Sequence, residues 1–500
     1  MTNHQSVRHK GTAPHQPSAG HAPIHKKNKT SGQRPGTDAV LNSATEILTQ
    51  GEKTGAQLYS RLHVLLDTSD LNEAERAKVT ALVTGVCEHQ LSIDYVLNHY
   101  SKTKTEKMKP QMRAVLRLGV CQILFMERTP DAVAVSNCVN QVRACGFSAL
   151  TGYVNGVLRT IAREKETIVY PDLSTRYSMP VWICERLEEK FGRDEQGKDT
   201  VGSILAYFEQ ENSLTIRLDE RLDEQQLQSL TEALQAASQT IRLRKHPLLS
   251  RAYILERAGD IRQLPGFAQG SFYVQDAGAQ LIVELAGIRR GDTVIDVCAA
   301  PGGKSLHAYT KCREADVGNN SSSSGRVVAM DLTERKCDLI RANAKRMHAD
   351  AMEIYAHDAR VADERLMEQA DVVICDLPCS GLGVMGRKAD IRYRLQEKDI
   401  LELASLQKEI LRASIRYLKK GGCLIYSTCT LTFEENEQNA LFIREELGLV
   451  PVDLTKDVYE VAGKESPLSS IETLRDGMLT LPPGRFLTDG FFMAKFQKVN

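Results

Sequence analysis

The sequence predicts a multidomain protein in three folded parts: an all-α bundle, a small α+β module, and an α/β domain built on a doubly wound parallel sheet. Three observations predict this order. Apolar residues between Asp38 and Lys165 recur at helical spacing, with no strand-like alternation. From Tyr170 to about Glu284, helical and strand-like runs are mixed. From Gly291 onward, short β-rich runs ending in small or acidic residues alternate with helices, the pattern of strands joined by crossovers. At roughly 150 residues per domain, a chain of 500 accommodates all three. The expected boundaries are 1–37 for a basic, His-rich tail, 38–166 for the bundle, 170–268 for the α+β module and 269–500 for the α/β domain.

The tail carries five of the twelve histidines among Gly, Pro, Ser, Lys and Arg. Nothing organises those histidines, so a disordered, solvated segment is expected rather than a metal site. It has no apolar stretch of the kind a secretory signal needs. No run in the chain approaches the ~18 apolar residues of a membrane span. A cytoplasmic, membrane-free, monomeric protein is expected.

Within the bundle, Ala44 to Leu48 and Ala56 to Leu66 repeat apolar residues at helical spacing, as do Ala74 to Tyr100 and, after Pro110, Arg113 to Met126. Pro130 precedes a helix over Ala132 to Ala144, which Gly146 closes, and Leu150 to Arg163 forms the next. Lys102, Lys104, Lys107, Lys109, Arg113 and Arg117, interrupted by Glu106, read first as a solvated face and second as a phosphate-facing patch. In the middle part, TRYSMPVWICERLEEKFG is a Pro-initiated helix with the single tryptophan, Trp182. LTIRLDE reads as a strand, Glu224 to Ala237 as a helix, and Arg242, Arg244, Lys245 and Arg251 as a second basic cluster.

Lys+Arg 64 and Asp+Glu 64 cancel, so a polyanionic partner would have to be held by local patches rather than by bulk charge. Twelve cysteines are too dilute for a disulfide scaffold, and neither a C-x-x-C pair nor a His at ligand spacing marks a structural zinc site. Most read as small buried hydrophobes in a reducing compartment. Two do not.

In a doubly wound sheet, ligands bind at the carboxyl ends of the strands, so the residues ending each run carry the argument. TVIDVC, RVVAMD, EIYAHD, DVVICD and GGCLIYST are the five runs, and the Ser-rich Gly318 to Gly325 is a flexible insert among them. The first continues as Asp296-Val297-Cys298-Ala299-Ala300-Pro301-Gly302-Gly303-Lys304-Ser305. A phosphate-cradling P-loop would need glycine where Cys298 stands, and no G-x-G-x-x-G is present. What remains is a tight glycine turn between strand and helix beside an acid, which suits a small cationic nucleotide-like ligand better than a polyphosphate. Asp331 ends the second run, where a carboxylate can hold two ribose hydroxyls, and Asp358 ends the third, placed to accept from an exocyclic amine. Each could be only a helix cap; three strand-end acids with a glycine turn favour an adenosine ligand. S-adenosylmethionine fits, because its sulfonium needs no phosphate cradle.

The fourth run ends Asp376-Leu377-Pro378-Cys379-Ser380-Gly381 and the fifth Tyr426-Ser427-Thr428-Cys429-Thr430. Thiols at the ends of neighbouring strands would face one crevice. Buried packing is the plain alternative, but Pro, Ser, Gly and Thr give turn rather than core context. Carbon 5 of cytosine is a poor nucleophile, and a thiolate added to carbon 6 makes it an enamine able to take a methyl group. A second group must then help release the product, and an acid near nitrogen 3, where Asp376 is placed, supports the addition.

DVCAAPGGK, DLPCSG and STCT, with FYVQDAGAQL upstream and DGFFMAKF at the C-terminal end, resemble the motifs of RNA cytosine-C5 methyltransferases from about Gln269 onward. LRLGVCQILFM, TP and YVNGVLR are similar to NusB-like RNA-binding domains. Together they resemble the bacterial 16S ribosomal RNA cytosine-C5 methyltransferases of the Fmu/Sun type. The resemblance implies Cys429 as nucleophile, Cys379 assisting product release and Asp376 serving base and cofactor. It also implies Cys298 to Lys304 with Asp331 and Asp358 around S-adenosylmethionine, and Arg387, Lys388, Arg392 and Arg394 near the RNA. Lys102, Lys104 and Arg113 are further expected RNA contacts. Asp219 stands where the family carries Asn, and TPDAVAVSN lacks the usual His-Ala pair; neither change touches a catalytic motif. The implied activity is methylation of a small-subunit ribosomal RNA cytosine of the cytosine-967 type. A transfer RNA cytosine methyltransferase and a non-catalytic RNA-binding assembly factor are the alternatives.

Overall fold

A computed structural model describes residues 38–499 except 55–61, 63, 67, 128, 193–199, 211–212, 239–240 and 314–324. The tail over 1–37, most of the helical stretch at 56–66 and nearly all of the Ser-rich insert lie outside the described residues. No helix among the described residues is long and apolar enough to cross a membrane.

The N-terminal part is helical throughout: Ala39–Thr54, Glu73–Glu88, Gln90–Tyr100, Pro110–Phe125, Asp131–Ala144 and Thr151–Glu164. Asn72 and Glu75 form a reciprocal capping box at the start of the second helix, and Pro110 occupies the first turn of the fourth. Their apolar stripes meet in one cluster that includes Ile47, Val83, Val96, Leu116, Val120 and Leu158. A Cβ at Gly119 would lie 2.7 Å from Leu158 Cδ1, so glycine lets the fourth and last helices approach there.

The α+β module divides by packing. Helices Val181–Phe191 and Thr200–Phe208 pack through Ile183, Leu205 and Phe208 on Leu382, Met385 and Ile391 of the C-terminal part. Strands β1 (Leu214–Leu218), β2 (Arg242–Lys245), β3 (Ala252–Glu256) and β4 (Phe272–Val274) form an antiparallel sheet in the order β2-β3-β1-β4. Helix Glu224–Ala236, capped by Asp223, covers that sheet through Leu234 and Leu230. Strand β4 falls beyond the boundary expected at 268, yet it pairs Val274 with Ile216 of β1.

The C-terminal sheet contains β5 (Thr293–Asp296), β6 (Arg326–Asp331), β7 (Glu353–Ala356), β8 (Ala370–Asp376), β9 (Leu418–Thr428), β10 (Val450–Pro451), β11 (Met478–Leu481) and β12 (Phe491–Gln497). The order is β10-β12-β9-β8-β5-β6-β7, with β11 also on β12. The five runs read from sequence are the five parallel strands, β5 to β9. The sheet as a whole is mixed, because β10, β11 and β12 add an antiparallel edge. Alternate residues feed opposite faces. Val294, Val327, Val372 and Ile425 join one core, and Ile295, Val328, Val373 and Leu424 the other. Burial on both faces explains runs that are continuously apolar instead of alternating.

The chain runs outward from β5 through β6 to β7, then returns to place β8 on the other side of β5. That reversal opens a crevice at the carboxyl ends of β5 and β8. The turn after β8 is pinned from two sides: Gly383 N–H donates to the Cys429 carbonyl at 3.0 Å, and Gly490 N–H to the Gly383 carbonyl at 2.9 Å. A Cβ on Gly383 would come 2.2 Å from the Gly490 oxygen. Gly383→Ala is therefore expected to destabilise the protein by about 1–3 kcal/mol, seen as a lower urea midpoint; a variant as stable as the wild type would refute the close approach.

Candidate active site

The turn leaving β5 is built on backbone bonds to its neighbours. Val297 N–H donates to the Ile374 carbonyl of β8 at 3.2 Å, and Ala299 N–H to the Met330 carbonyl of β6 at 2.9 Å. Gly302 has φ +104° and lies against Ile340, where a Cβ would sit 3.1 Å from a side-chain methyl. Helix Gly303–Arg313 follows at once. Asp296 is buried, accepts from the Ser305 hydroxyl at 2.6 Å through one oxygen, and has no partner on the other. Burial pushes its carboxyl up to about 7, against the Ser305 hydrogen bond and the nearby Lys304 charge.

Asp331, buried at the end of β6, accepts from Ala300 N–H at 3.1 Å, from Leu332 N–H at 2.7 Å and from the half-exposed Lys336 at 2.9 Å. Asp358 lies two residues past β7 and is forked by the Nε and Nη2 of Arg360, whose hydrogen bonds lower its pKa to about 2. Leu332 and Val361, each close in sequence to one of these acids, are 61% exposed apolar side chains.

On the other side of the crevice, the β8–β9 register sets Asp376 opposite Ser427. Leu377 N–H donates to the Ser427 carbonyl at 3.1 Å, and from there the two turns run side by side. Their thiols meet: Cys379 Sγ lies 3.4 Å from Cys429 Sγ. Asp376 accepts from Lys304 Nζ at 2.6 Å and from the Ser427 hydroxyl at 2.9 Å. Lys304 also sits over the Phe491 ring, 5.3 Å from its centroid. Burial pulls the Lys304 ammonium down, but Asp376, by charge and hydrogen bond, more than offsets this and holds it above the ordinary lysine value. The proton of the pair therefore resides on Lys304, and the acid within reach of a base is the Lys304–Asp376 pair rather than a free Asp376.

The two sulfurs differ in charge environment. The hydrogen bond from Cys379, aided by Lys388 and Lys304, lowers the Cys429 thiol against burial and Asp376. Cys379, which supplies that bond, is held well above the usual thiol range by it and by burial. A thiolate at Cys429 with an S–H at Cys379 is the arrangement these groups favour. Both open into a cleft of about 520 Å³ lined also by Val384, Lys388, Arg394 and Asp399.

Several cations expected near RNA have other partners. Arg392 is 2% exposed and donates to the carbonyls of Glu88 at 3.1 Å and Tyr177 at 3.3 Å. It joins the helical part and the middle part to the catalytic turn, and faces no surface. Arg387 is held by Asp489 and by the Ser213 carbonyl at 2.8 Å. Arg113 and Arg117 share Glu52, and Arg117 also forks Asp94. These guanidinia are structural because their forks of donors are taken up by carboxylates and carbonyls of the protein itself. Lys102, Lys104 and Lys388 are exposed, although Lys104 also donates to the Asn98 carbonyl at 2.9 Å. The departure at Asp219 has a local cause: it is buried and accepts from both Nε and Nη2 of Arg221, a pairing asparagine could not make with full charge. Glu220, Glu284 and His307 come within 4.8 Å of one another, but Arg217 bridges both carboxylates and Lys311 approaches Glu284 at 3.0 Å, so cationic side chains fill that place. Glu435 and Gln407, buried behind the thiols, had no signal in the sequence, because EENE before an apolar run reads as the acidic first turn of a helix.

Comparisons with known proteins agree in two regions. A family model described as 16S rRNA methyltransferase RsmB/F matches residues 284–497, and one for the NusB family matches 39–163. A probable ribosomal RNA small subunit methyltransferase B of Bacillus subtilis is 31% identical over 92% of this chain and 99% of its own length. The crystal structure of PH0851 superposes with a TM-score of 0.69 at 23% identity, covering 92% of this chain and 98% of that one. NSun6 from Pyrococcus horikoshii, solved with SFG, an S-adenosylmethionine analogue, gives 0.51 at 19% identity over 64% and 98%.

Asp296 generates a pH dependence. Its folded-state pKa lies above the unfolded one, so its contribution to stability is present below about pH 4 and is lost as pH rises to about 7. Asp296→Asn is expected to flatten that loss, by on the order of a few kcal/mol across the interval, in urea titrations at stepped pH. Parallel curves for the two proteins would contradict the assignment.

Proposed function

The chain belongs to the 16S rRNA methyltransferase RsmB/F family, and on that premise we propose that it methylates carbon 5 of a cytosine in small-subunit ribosomal RNA, of the cytosine-967 type, through a covalent cysteine adduct at carbon 6. S-adenosylmethionine is the proposed methyl donor. The observation that carries the reading is the thiol pair at 3.4 Å beside the Lys304–Asp376 pair.

The residues at the cofactor end fit that donor on chemical grounds. The unpartnered, buried oxygen of Asp296 offers an acceptor beside the glycine turn. Asp331 keeps a carboxylate at the end of β6 whose third donor, Lys336, is half-exposed and free to swing aside for a diol. The exposed apolar surface of Leu332 and Val361 suits a purine ring. When bound, the donor supplies an electrophilic methyl on a sulfonium, for which Asp296 and Asp376 are the nearby counter-charges.

The chain's own groups do the rest. Cys429, whose ionisation Lys388 and Lys304 favour, adds as the thiolate to carbon 6, and the displaced electron pair moves toward carbon 5 and nitrogen 3. The Lys304–Asp376 pair faces that developing charge, Lys304 bringing a proton and Asp376 accepting from the exocyclic amine. After carbon 5 gains its methyl group, water takes the carbon-5 proton, the C5–H pair forms the C5=C6 bond, and the S–C6 bond breaks with its pair returning to Cys429. Cys379 S–H, 3.4 Å away, donates to that departing thiolate and makes it a better leaving group. The target base must lie in a loop or flip from its stack, at a cost of a few kcal/mol. Exposed Lys102, Lys104 and Lys388, with the NusB-like part, would supply phosphate and shape contacts.

Incubated with ribosomal RNA and S-adenosylmethionine, Cys379→Ala is expected to accumulate a covalent protein–RNA complex on denaturing gels, whereas Cys429→Ala forms none. Adduct formation unaffected by either change would sink the two-thiol mechanism. Mapping 5-methylcytosine in RNA from cells with and without the gene identifies the base; a site in transfer RNA alone would overturn the ribosomal target.

A further inference from the structure

Behind the thiols lies a carboxylate with no part in the steps above. Glu435 is fully buried, and both its oxygens accept hydrogen bonds. Oε1 takes Ser380 N–H at 2.9 Å and Gln407 Nε2 at 3.1 Å; Oε2 takes the Ser380 hydroxyl at 2.5 Å and the Thr432 hydroxyl at 2.9 Å. Four donors converging on it suit an ionised carboxylate, whose lone pairs they fill, although burial pushes its pKa up. None of these donors belongs to helix Glu437–Glu445, so the side chain is not a cap for the helix it precedes.

The direction of the bonds matters. Because the Ser380 hydroxyl donates to Glu435, it accepts from the Thr430 hydroxyl 2.5 Å away. Ser380 follows Cys379 and Thr430 follows Cys429, so one chain of hydroxyls joins the residues next to both sulfurs to a single anion. Gln407 closes the far side by donating to the Pro378 carbonyl at 2.8 Å, and Asn436 donates to the Thr430 carbonyl at 3.0 Å. Tyr426 donates to the Glu435 carbonyl and accepts from Asn439 at 3.1 Å, fixing the backbone from which the carboxylate projects.

The geometry points to Glu435 as the positioning residue of the thiol pair: acting through Ser380 and Thr430, it sets the approach and orientation of the Cys379 and Cys429 sulfurs. Its consequence for methyl transfer rests on the reading proposed above. Its negative charge also opposes ionisation of Cys379, while Lys388 and Lys304 favour ionisation of Cys429. The S–H thus stays on Cys379, aimed at the sulfur that must attack and later leave. Glutamine at 435 would turn an N–H₂ toward at least one of these donors, breaking the hydroxyl chain and removing the charge together.

Iodoacetamide labelling of the full-length protein, resolved for each cysteine by mass spectrometry over about pH 6–10, tests this without RNA. Cys429 is expected to label with the lower midpoint in the wild type. Glu435→Gln is expected to raise the Cys379 labelling rate throughout this range about tenfold, the effect of lowering its midpoint by about one pH unit, and Glu435→Asp, which keeps the charge, to restore it. Loss of structure alone would expose both thiols, and buried Cys375 with them, and would bring the Cys379 and Cys429 midpoints together near the ordinary thiol value, so a change at Cys379 counts only where Cys375 stays silent and Cys429 keeps the lower midpoint. Should Glu435→Gln fail to fold, Ser380→Ala cuts the hydroxyl chain and is expected to raise Cys379 labelling several-fold while Cys375 stays silent. A reversed order in the wild type, an unchanged Cys379 labelling rate in folded Glu435→Gln, or wild-type labelling in Ser380→Ala would each overturn the proposal. An enzyme that forms no 5-methylcytosine would instead overturn the methyltransferase reading and leave the labelling result standing.

Discussion

The register of β8 against β9 is the constraint on which the chemistry depends. Pairing Asp376 with Ser427 makes the two following turns leave the sheet together, so that thiols fifty positions apart in the chain come to 3.4 Å. A slip of one residue would turn every side chain to the opposite face, sending Asp376 away from Lys304 and uncoupling the sulfurs. The register is strongly held because both strands are central, buried on both faces, and flanked by β5 and β12.

That register still leaves the turns themselves to be held. Gly383 and Gly490 meet backbone to backbone on one side, and the Glu435 network closes the other. The site is thus framed by polar groups whose partners are all internal, in a part of the molecule where an unmade hydrogen bond is expensive. Residues far apart in sequence, from helix Glu397–Ser414 to the C-terminal strand, converge on two short turns.

Zero net charge, which seemed to weigh against a nucleic-acid partner, has a structural explanation in the arginines. Arg392, Arg387, Arg113 and Arg117 look like a phosphate-binding set in the sequence, yet each is paired with carboxylates or backbone carbonyls inside the protein. A guanidinium brings five donors in a fixed fork and so can join elements at a buried junction. The lysines of the same charge runs remain outside: Lys102, Lys107, Lys109 and Lys388 are all exposed. Sequence charge runs do not separate these two uses, because pairing depends on what the fold brings opposite.

Local pattern determined much of this protein. The five β-runs, the helix that follows Pro110, the glycine turn after Asp296 and the two strand-end thiols were all legible, because each depends on neighbours within a few residues or on a period of 2 or 3.6. What only the tertiary structure decided depends on distant pairing. The antiparallel edge of β10 to β12, the attachment of β4 to the smaller sheet, and the packing of helices Val181–Phe191 and Thr200–Phe208 on the catalytic turn all arise that way. The same holds for the proton on Lys304 and the burial of Glu435. Their ionisation is set by desolvation and by charges brought close through folding, quantities that have no value until the chain has closed on itself.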